Sequence, residues 1–314
     1  MRIGLDISGG DFAPDATLDG LLLAVDELPS SVHLVLIGKA EDIAAGLIER
    51  GKNPEDFEII HAPDVIGMGD NPTKSFASKP DSSISVGFKM LKEKQIDAFA
   101  GAGNTGAMLV GAVLSVKPIE GVQRPCIMSL IPKESGGFGI LLDVGSNAEC
   151  KPETLVQFAQ LGSMYAENVL GIESPSVGLI NIGEEPEKGN TLALSAHQLL
   201  KNANDIHFIG NIEGRDLFNQ KADVMVCDGF TGNVLLKLME AFYSVYVKNG
   251  IHNEYISRFN YEAYGGTPIL GINSTVIVGH GISNARAIKN MIKLAYQVEN
   301  ARLTDKIKAI IQHD

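Results

Sequence analysis

Four short segments of the chain place glycines beside Asn, Thr, Asp, Lys or His directly after an apolar run. They are GAGNTGA at Gly101–Ala107, GEEPEKGN at Gly183–Asn190, CDGFTGN at 227–233 and VGHGISN at 278–284. Open backbone amides in glycine turns and short polar side chains donate hydrogen bonds to anions. Because the carboxyl ends of parallel strands meet at one edge of a sheet, several such turns together predict an anion site there.

The segment GAGNTGA permits two interpretations. Gly103 and Gly106 let the backbone approach a ligand, to which Asn104 and Thr105 can donate hydrogen bonds. The same residues fit an ordinary turn in which Asn104 or Thr105 caps the next helix. The spacing matches neither the phosphate loop G-x-x-x-x-G-K-[ST] nor the dinucleotide motif G-x-G-x-x-G, so no nucleotide site is predicted.

The segment CDGFTGN has the same ambiguity. Its open backbone positions and candidate donors are Gly229, Thr231, Gly232 and Asn233. The carboxylate of Asp228 either orients these donors or accepts backbone hydrogens within the turn. Cys227 is a weak candidate nucleophile, because an adjacent aspartate raises a thiol pKa and no histidine lies nearby in the sequence.

Lys188 and His280 can carry positive charge within these segments. Lys188 comes just before a predicted helix, where its ammonium group can meet an anion; alternatively it offsets the neighbouring glutamates of a solvated loop. His280 lies between two glycines, where it can act as an acid, a base or a donor. The alternative is a turn histidine that hydrogen-bonds to backbone.

No metal site is predicted. Asp6 and Asp11 flank a Gly-Gly turn near the start, but no histidine or cysteine lies close to them, and helix capping by Asp11 or Asp15 is favoured. The three cysteines are odd in number, widely spaced and without a C-x-x-C pair. They are therefore expected to be reduced thiols and not zinc ligands.

The hydrophobic pattern predicts the elements that position these segments. Short β-branched runs alternate with helical periodicity, which is typical of a mostly parallel sheet covered by helices. The predicted strands are Arg2–Ile7, Val32–Ile37, Phe57–His61, Ala98–Ala102, Cys126–Ile131, Gly139–Val144, Val177–Ile182, His207–Asn211, Val224–Cys227 and Val276–Val278. The predicted helices include Ala16–Leu28, Ile84–Lys94, Pro152–Leu170, Thr191–Asn202, Val234–Val247 and Asn284–Ile311.

The expected fold class is α/β, a three-layer α/β/α arrangement around the mostly parallel sheet. We expect residues 1–314 to form a single catalytic unit, or two lobes with the site in the cleft between them. One face of the predicted helix Val234–Val247 is apolar, which predicts that this helix packs against the sheet; its members are Val234, Leu235, Leu238, Met239 and Phe242. The Ser-, Lys- and Pro-rich stretch Lys74–Ser85 is expected to be a mobile loop.

Composition limits the classes of function. The formal net charge of -12 and the isoelectric point near 5.1 argue against a general nucleic-acid binder, which needs a basic face. The sequence has no run of 18 apolar residues, and its start reads as a strand instead of a signal peptide. A cytoplasmic protein is expected, with at most peripheral contact to a membrane.

Taken together, the segments resemble the PlsX family of phosphate acyltransferases. The matching motifs follow the family's order along most of the chain: DISGGDFAP, GAGNTGA, RPCIMSLIP, LLDVGSNAECKPETLVQFAQLG, VGLINIGEEPEKGN, FIGNIEGRD, ADVMVCDGFTGNVLLK, YGGTPILGI and VIVGHGISNARA. The segment DGFTGNVLLK is also similar to the D-L-x-x-G-N-x-x-Y-K pattern of phosphotransacetylases.

The resemblance implies that an acyl group passes from acyl-carrier protein to inorganic phosphate, giving acyl phosphate for phospholipid synthesis. It also implies a fold similar to the isocitrate and isopropylmalate dehydrogenases and to phosphotransacetylase, a homodimer, and no metal or other cofactor. A membrane glycerol-3-phosphate acyltransferase would use the product. For the site, it implies that amides of Gly103–Gly106 and Gly229–Asn233 hold phosphate. Lys188 would supply charge, and Asn104, Thr231 or Asn233 would donate hydrogen bonds.

The sequence departs from the family pattern in three places. Ser8 replaces the usual Met, HGISNARA differs from the more frequent H-G-S-S-D, and residues 243–261 are fewer than in relatives whose helical hairpin touches the membrane with an apolar tip. Alternatives to the acyl-carrier-protein donor are a phosphotransacetylase-like acyl-coenzyme A donor, a metal-dependent dehydrogenase of the same fold, and a non-catalytic scaffold. Because carrier proteins are acidic, the candidate docking residues are basic: Lys74, Lys79, Lys89, Lys92, Arg124 and Lys133.

Overall fold

The structure is a computed structural model that describes residues 1–311. The chain forms two compact units. Unit 1 comprises Met1–Pro118 and Tyr261–Thr304, and unit 2 comprises Ile119–Asn260 and the residues from Asp305 onward. Each unit contains a mostly parallel sheet with helices around it, which confirms the α/β class.

Strands and helices alternate through most of the chain. The strands are β1 (Arg2–Asp6), β2 (His33–Gly38), β3 (Glu58–His61), β4 (Ala98–Gly101), β5 (Cys126–Pro132), β6 (Phe138–Leu142), β7 (Ser176–Ile180), β8 (His207–Ile212), β9 (Val224–Val226), β10 (Thr267–Leu270) and β11 (Thr275–Val278). The α-helices are α1 (Asp15–Val25), α2 (Ala40–Glu49), α3 (Pro72–Ser78), α4 (Ser83–Lys92), α5 (Thr105–Gly111), α6 (Pro152–Asn168), α7 (Thr191–Asn202), α8 (Gly229–Lys248), α9 (Glu254–Ser257), α10 (Ala285–Asn300) and α11 (Leu303–Ile311).

In unit 1 the strand order is β3-β2-β1-β4-β11-β10, and only β10 runs antiparallel to its neighbour. In unit 2 the order is β5-β6-β9-β7-β8, and only β5 is antiparallel. The parallel strands of each unit therefore end at a common carboxyl edge, and the loops after them lie there.

The central strands are buried on both faces. Along β1, residues Ile3–Asp6 are all buried, although successive side chains point to opposite sides of the sheet. Helices α4 and α10 both pack on β1 and β4 in unit 1, and α6 covers β6, β7 and β9 in unit 2. Fully buried aromatic side chains fill these layers, among them Phe88 and Phe99 in unit 1 and Phe158 and Tyr165 in unit 2.

The ten predicted strands are confirmed, with ends that shift by one or two residues. Strand β10 was not predicted, because it is short and contains a proline. The long helix predicted at Asn284–Ile311 is two helices, since Arg302 adopts a left-handed φ of 50° that ends the first. The expected mobile loop Lys74–Ser85 lies largely in α3 and α4, which the side chains of Asn71 and Ser82 cap.

The predicted packing of α8 against the sheet is wrong for most of the helix. Val234, Leu238 and Phe242 are 52%, 52% and 54% exposed, and only Gly229, Gly232 and Met239 are buried. The first turn packs closely because its two glycines allow it, and of the predicted apolar face beyond it Met239 is buried and Leu235 half-buried, while the other three members are exposed. No helix in that range is long and apolar enough to cross a bilayer.

Candidate functional site

Asp228 begins helix α8 at the carboxyl edge of unit 2. Its Oδ1 accepts a hydrogen bond from the Thr231 amide at 2.8 Å, and its Oδ2 accepts one from the Thr231 hydroxyl at 3.1 Å. The carboxylate therefore caps the helix and also fixes the direction of the threonine hydroxyl. Both roles considered for Asp228 from the sequence are present.

The amides of Gly229–Asn233 were expected to hold phosphate, and the structure contradicts this for most of them. The Gly229 amide donates to the Asn147 carbonyl at 2.7 Å, and the Gly232 amide donates to the Asp228 carbonyl at 3.0 Å. With Thr231 bonded to Asp228, these donors are already satisfied within unit 2. The Nδ2 of Asn233 donates to the Val144 carbonyl at 3.1 Å, which ties α8 to the loop after β6.

Asp143 is a buried carboxylate of this edge that sequence reasoning missed. Its Oδ1 accepts hydrogen bonds from the Ser146 hydroxyl at 2.6 Å and from the Ile127 amide at 3.1 Å, and its Oδ2 accepts one from the Asn147 amide at 2.6 Å. A side chain on Gly229 would meet this carboxylate. The signal was the segment DVGSN, which follows an apolar strand as the other polar turns do.

Lys188 lies exposed in the loop that joins β7 to α7. The acidic neighbour Glu184 pairs with Lys221 at 2.7 Å and with Arg215 at 3.7 Å. Lys188 has no carboxylate within ion-pair distance in the described part of the chain. Lys188 therefore forms no direct ion pair with Glu184, Glu185 or Glu187 in the described structure, although the loop that it shares with them is exposed, as the alternative of a solvated acidic loop expects. No hydrogen bond joins its side chain to Thr231 or Asn233 within residues 1–311.

Asn104 is the most heavily bonded predicted residue at the carboxyl edge of unit 1. It is 5% exposed, and its Oδ1 accepts a hydrogen bond from the Ala107 amide at 3.0 Å, which caps α5. Its Nδ2 donates to three carbonyls of the loop after β3, those of Gly67, Met68 and Asp70, at 3.0, 3.2 and 3.1 Å. The side chain therefore holds two loops together.

The other predicted residues of unit 1 lie around Asn104. Gly103 is buried, Thr105 is exposed, and the amides of Thr105 and Gly106 in the first turn of α5 have no acceptor within residues 1–311. The strand β11 pairs with β4 and the Gly279 amide donates to the Gly101 carbonyl at 2.8 Å, which brings His280 to the same edge. The His280 ring packs against Tyr261, with their centroids 5.2 Å apart.

Asp6 ends β1 beside the glycine segment. It is fully buried, its Oδ1 accepts a hydrogen bond from the Ser8 amide at 3.1 Å, and its Oδ2 has no partner in the described structure. A Cβ on Gly9 or Gly103 would lie 2.2 or 3.0 Å from that Oδ2. Burial raises the pKa of Asp6 to about 6, so its proton exchanges close to neutral pH.

Cys227 is not activated. All three cysteines are free thiols, as expected, and Cys227 is 3% exposed. Burial raises the pKa of its thiol well above the ordinary value, and the carboxylates of Asp228 and Asp143 raise it further. A nucleophilic thiolate is therefore disfavoured.

The candidate docking residues do not form one surface. Lys133 is buried and its Nζ lies 2.5 Å from Oδ1 of Asp223, so it presents no charge to a partner protein. Lys79 pairs with Asp70 at 2.8 Å. Lys89 and Lys92 are exposed in the last turn of α4, which leads to the amino end of β4 and away from the carboxyl edge. Lys74 lies on α3, which packs on the helix that Asn104 caps.

Comparison with known proteins identifies the family. The model of the fatty acid synthesis protein family matches residues 1–249 and 247–306, and its two segments meet at residues 247–249. The phosphate acyltransferase of Salinibacter ruber is 39% identical over 331 aligned positions, which cover 99% of this chain and 98% of that protein. The phosphate acyltransferase of Dictyoglomus turgidum is 40% identical over 326 positions, covering 98% and 96%.

The fold also occurs among solved structures. A phosphotransacetylase from Streptococcus pyogenes superposes with a TM-score of 0.68 at 14% sequence identity, covering 96% of this chain and 94% of that one. At this identity the likeness shows a shared fold. The match to the family model and to full-length relatives goes further: the chain belongs to the fatty acid synthesis protein family, that of the phosphate acyltransferases.

Proposed function

We propose that the protein transfers an acyl group from a thioester to inorganic phosphate. A phosphate oxygen attacks the thioester carbonyl carbon, the new C–O bond forms, the C–S bond breaks, and the departing sulfur takes up a proton. The products are an acyl phosphate and a free thiol. Phosphate is already a nucleophile near neutral pH, so the proposal requires neither a covalent enzyme intermediate nor a cofactor.

The observation that carries the proposal is identity of about 40% to phosphate acyltransferases along nearly the whole chain. The phosphotransacetylase fold of the solved neighbour agrees with it. The finer comparison with the isocitrate and isopropylmalate dehydrogenases stays a prediction from the sequence resemblance.

Lys188 is the residue that we propose supplies positive charge to phosphate. It is exposed and without a carboxylate partner in the described structure, so binding an anion breaks no ion pair. In unit 1 the unbonded amides of Thr105 and Gly106, with Gly103 beside them, are proposed donors to developing negative charge. His280 is proposed as a donor at the same edge.

Other residues of the segments act by positioning. Asp228 accepts the one hydroxyl hydrogen of Thr231, so the predicted role of this hydroxyl as a donor is contradicted and only its oxygen remains, as an acceptor. Asn233 fixes α8 to the Val144 carbonyl, and one of its amide hydrogens remains for substrate. Asn104 holds the glycine segment against the loop after β3. Preorganised donors of this kind lower the barrier because they need no rearrangement as charge develops.

Acyl-carrier protein is the proposed donor, and acyl-coenzyme A is the alternative. The sequence resemblance supports the carrier protein, while the phosphotransacetylase-like fold is compatible with either thioester. The discriminating experiment measures phosphate-dependent release of free thiol from both donors in parallel. A higher kcat/KM with acyl-carrier protein is expected. Absence of phosphate-dependent release from both donors would contradict acyl transfer and favour the scaffold, and NAD-linked absorbance would indicate the dehydrogenase.

A homodimer is part of the proposal, with helix α8 as its contact. Phe230, Val234, Leu238, Phe242 and Val245 recur along one side of α8 and are each more than half exposed. A helix of 20 residues is about 30 Å long, which suits the roughly 800 Å² per partner of a specific interface. A second copy of the chain presents the same apolar face, so each copy covers the exposed apolar side chains of the other.

The protein is proposed to act in the cytoplasm and at the membrane surface. Cytoplasmic residence, peripheral contact with a membrane and delivery of acyl phosphate to a membrane glycerol-3-phosphate acyltransferase are consistent with a product that carries a fatty acyl chain. Exposed Tyr246, Val247 and Ile251 lie where the family's apolar tip is expected. Binding to anionic and neutral vesicles by sedimentation tests this contact.

A further inference from the structure

Three loops at the carboxyl edge of unit 1 expose large apolar side chains. Phe12 follows β1, Met68 follows β3 and Ile282 follows β11, and they are 56%, 43% and 45% exposed. Loops at the surface are normally polar, and clustered exposed apolar residues mark a binding surface more often than single ones do.

Contacts at Gly281 bring the three loops together. The Asp11 amide, one residue before Phe12, donates to the Gly281 carbonyl at 2.7 Å. The Cε of Met68 lies 2.5 Å from the position that a Cβ on Gly281 would take, and Ile282 is the next residue. The Met68 side chain and the backbone next to Phe12 and Ile282 therefore meet at Gly281.

This surface adjoins the candidate site directly. The carbonyl of Met68 accepts a hydrogen bond from Nδ2 of Asn104, whose segment carries the unbonded amides of Thr105 and Gly106. His280 lies two residues before Ile282. A ligand whose polar end lies at those amides would pass its other end over Met68 and Ile282.

We propose that Phe12, Met68 and Ile282 form the surface that binds the alkyl chain of the acyl donor. The inference rests on the proposed acyl transfer, and it assigns to these three residues the selection of donors by acyl length. An alkyl chain is the fitting occupant, because the three side chains are apolar and lie next to the proposed donors; the nearest charge is the Asp11 carboxylate, whose Oδ2 lies 3.6 Å from the Cβ position of Gly281. The flexible thioether of Met68 adapts to chains of different shape.

The test compares donors that differ only in acyl length. Butyryl- and hexadecanoyl-acyl-carrier protein are assayed by free-thiol release with the wild type and the double variant Met68→Gln/Ile282→Gln. The Met68 carbonyl is unchanged by substitution, so the contact to Asn104 is kept. Ile48→Gln is the matched control, since Ile48 is 63% exposed but lies at the end of α2, which leads to the amino end of β3.

We expect kcat/KM for the hexadecanoyl donor to fall about tenfold or more in the double variant, while the butyryl value changes less than about twofold. The control should resemble the wild type with both donors. Equal losses with the two donors, or no loss with either, would overturn the inference.

A binding arm separates this inference from the proposed function. Dodecylphosphonate, an unreactive amphiphile, is titrated by calorimetry below its micellar concentration into wild type and variants. The Kd should rise about tenfold in the double variant and stay unchanged in the control. If the Kd values follow this pattern but the wild type releases no thiol, the proposed acyl transfer is contradicted while the proposed alkyl-binding surface is supported. An unchanged Kd in a folded double variant, judged by circular dichroism, would refute the surface.

Discussion

The Cα of Gly232 packs directly on the backbone of Asp143, so that a Cβ on Gly232 would lie 2.0 Å from the Asp143 carbonyl oxygen. The Asp143 carbonyl belongs to the main chain, so it cannot move aside as the end of a flexible side chain can. Gly232→Ala is therefore expected to destabilise the protein by about 2 kcal/mol or more and to displace the start of α8. Urea unfolding followed by circular dichroism measures the free energy of unfolding.

Gly214→Ala provides the control for this substitution. Gly214 belongs to the same unit, and a Cβ there meets nothing within 4 Å. Its free energy of unfolding should stay within about 0.5 kcal/mol of the wild type. Equal stability of the two variants would mean that the close approach of α8 to Asp143 is wrong.

Lys188→Ala is expected to lower turnover about a hundredfold, because one positioned charge facing a reacting phosphate contributes about 3 kcal/mol to the barrier. Stability should not change, since Lys188 is exposed and makes no ion pair in the described structure. Lys201→Ala, at the other end of α7, removes an equivalent exposed charge and should be fully active. Near-normal turnover of Lys188→Ala would remove this residue from the mechanism.

Asp6 should make stability depend on pH. Its pKa rises from 3.8 to about 6 on folding, so the folded state binds more protons than the unfolded state between these values. Stability is therefore highest below pH 4 for this group, falls as pH rises to 6, and changes by about 3 kcal/mol in all. Asp6→Asn removes the titrating group and should flatten the curve in this window. Urea unfolding of both proteins at pH 4.5 and 7 tests this, and identical pH dependence would contradict the burial of Asp6.

Substituting the exposed face of α8 should separate the proposed dimer. Leu238→Asp/Phe242→Asp places two carboxylates in a contact that the partner repeats, so the dimer Kd should rise at least about a hundredfold. Analytical ultracentrifugation measures the Kd. Leu199→Asp, on α7 of the same unit, changes an exposed apolar residue elsewhere and should leave association intact. Unaltered association of the α8 variant would exclude this face as the contact.

The sequence predicts the strands and their polar carboxyl ends well, because β-branched runs bounded by glycine turns have few alternatives. It does not predict what covers α8. Val234, Leu238 and Phe242 give the same periodic pattern whether a sheet or another chain lies against them. The bond made by the Gly229 amide also depends on a tertiary contact, since its acceptor, the Asn147 carbonyl, lies 82 positions earlier in the chain, whereas the Gly232 amide bonds locally to Asp228.

Asn104 and Asp143 illustrate the same limit at the candidate site. The cap that Asn104 forms on α5 is local and follows from sequence, whereas its bonds to the loop at Gly67–Asp70 join residues more than 30 positions apart. Asp143 is visible in the sequence only as one more polar residue after a strand. Its importance comes from Ile127, Ser146 and Asn147 converging on one buried carboxylate.

The hydrogen bonds that Nδ2 of Asn104 donates to the loop after β3 all go to main-chain oxygens. Any amino acid supplies such an oxygen, so position 68 is free to diverge in evolution, while an insertion or deletion between Gly67 and Asp70 would pull Asn104 out of place. When the loop length is fixed and its side chains vary, a single substitution changes the length of the acyl group that the surface accepts. Relatives that prefer longer or shorter acyl groups are thus expected to differ at 68 and to keep the same number of residues around it.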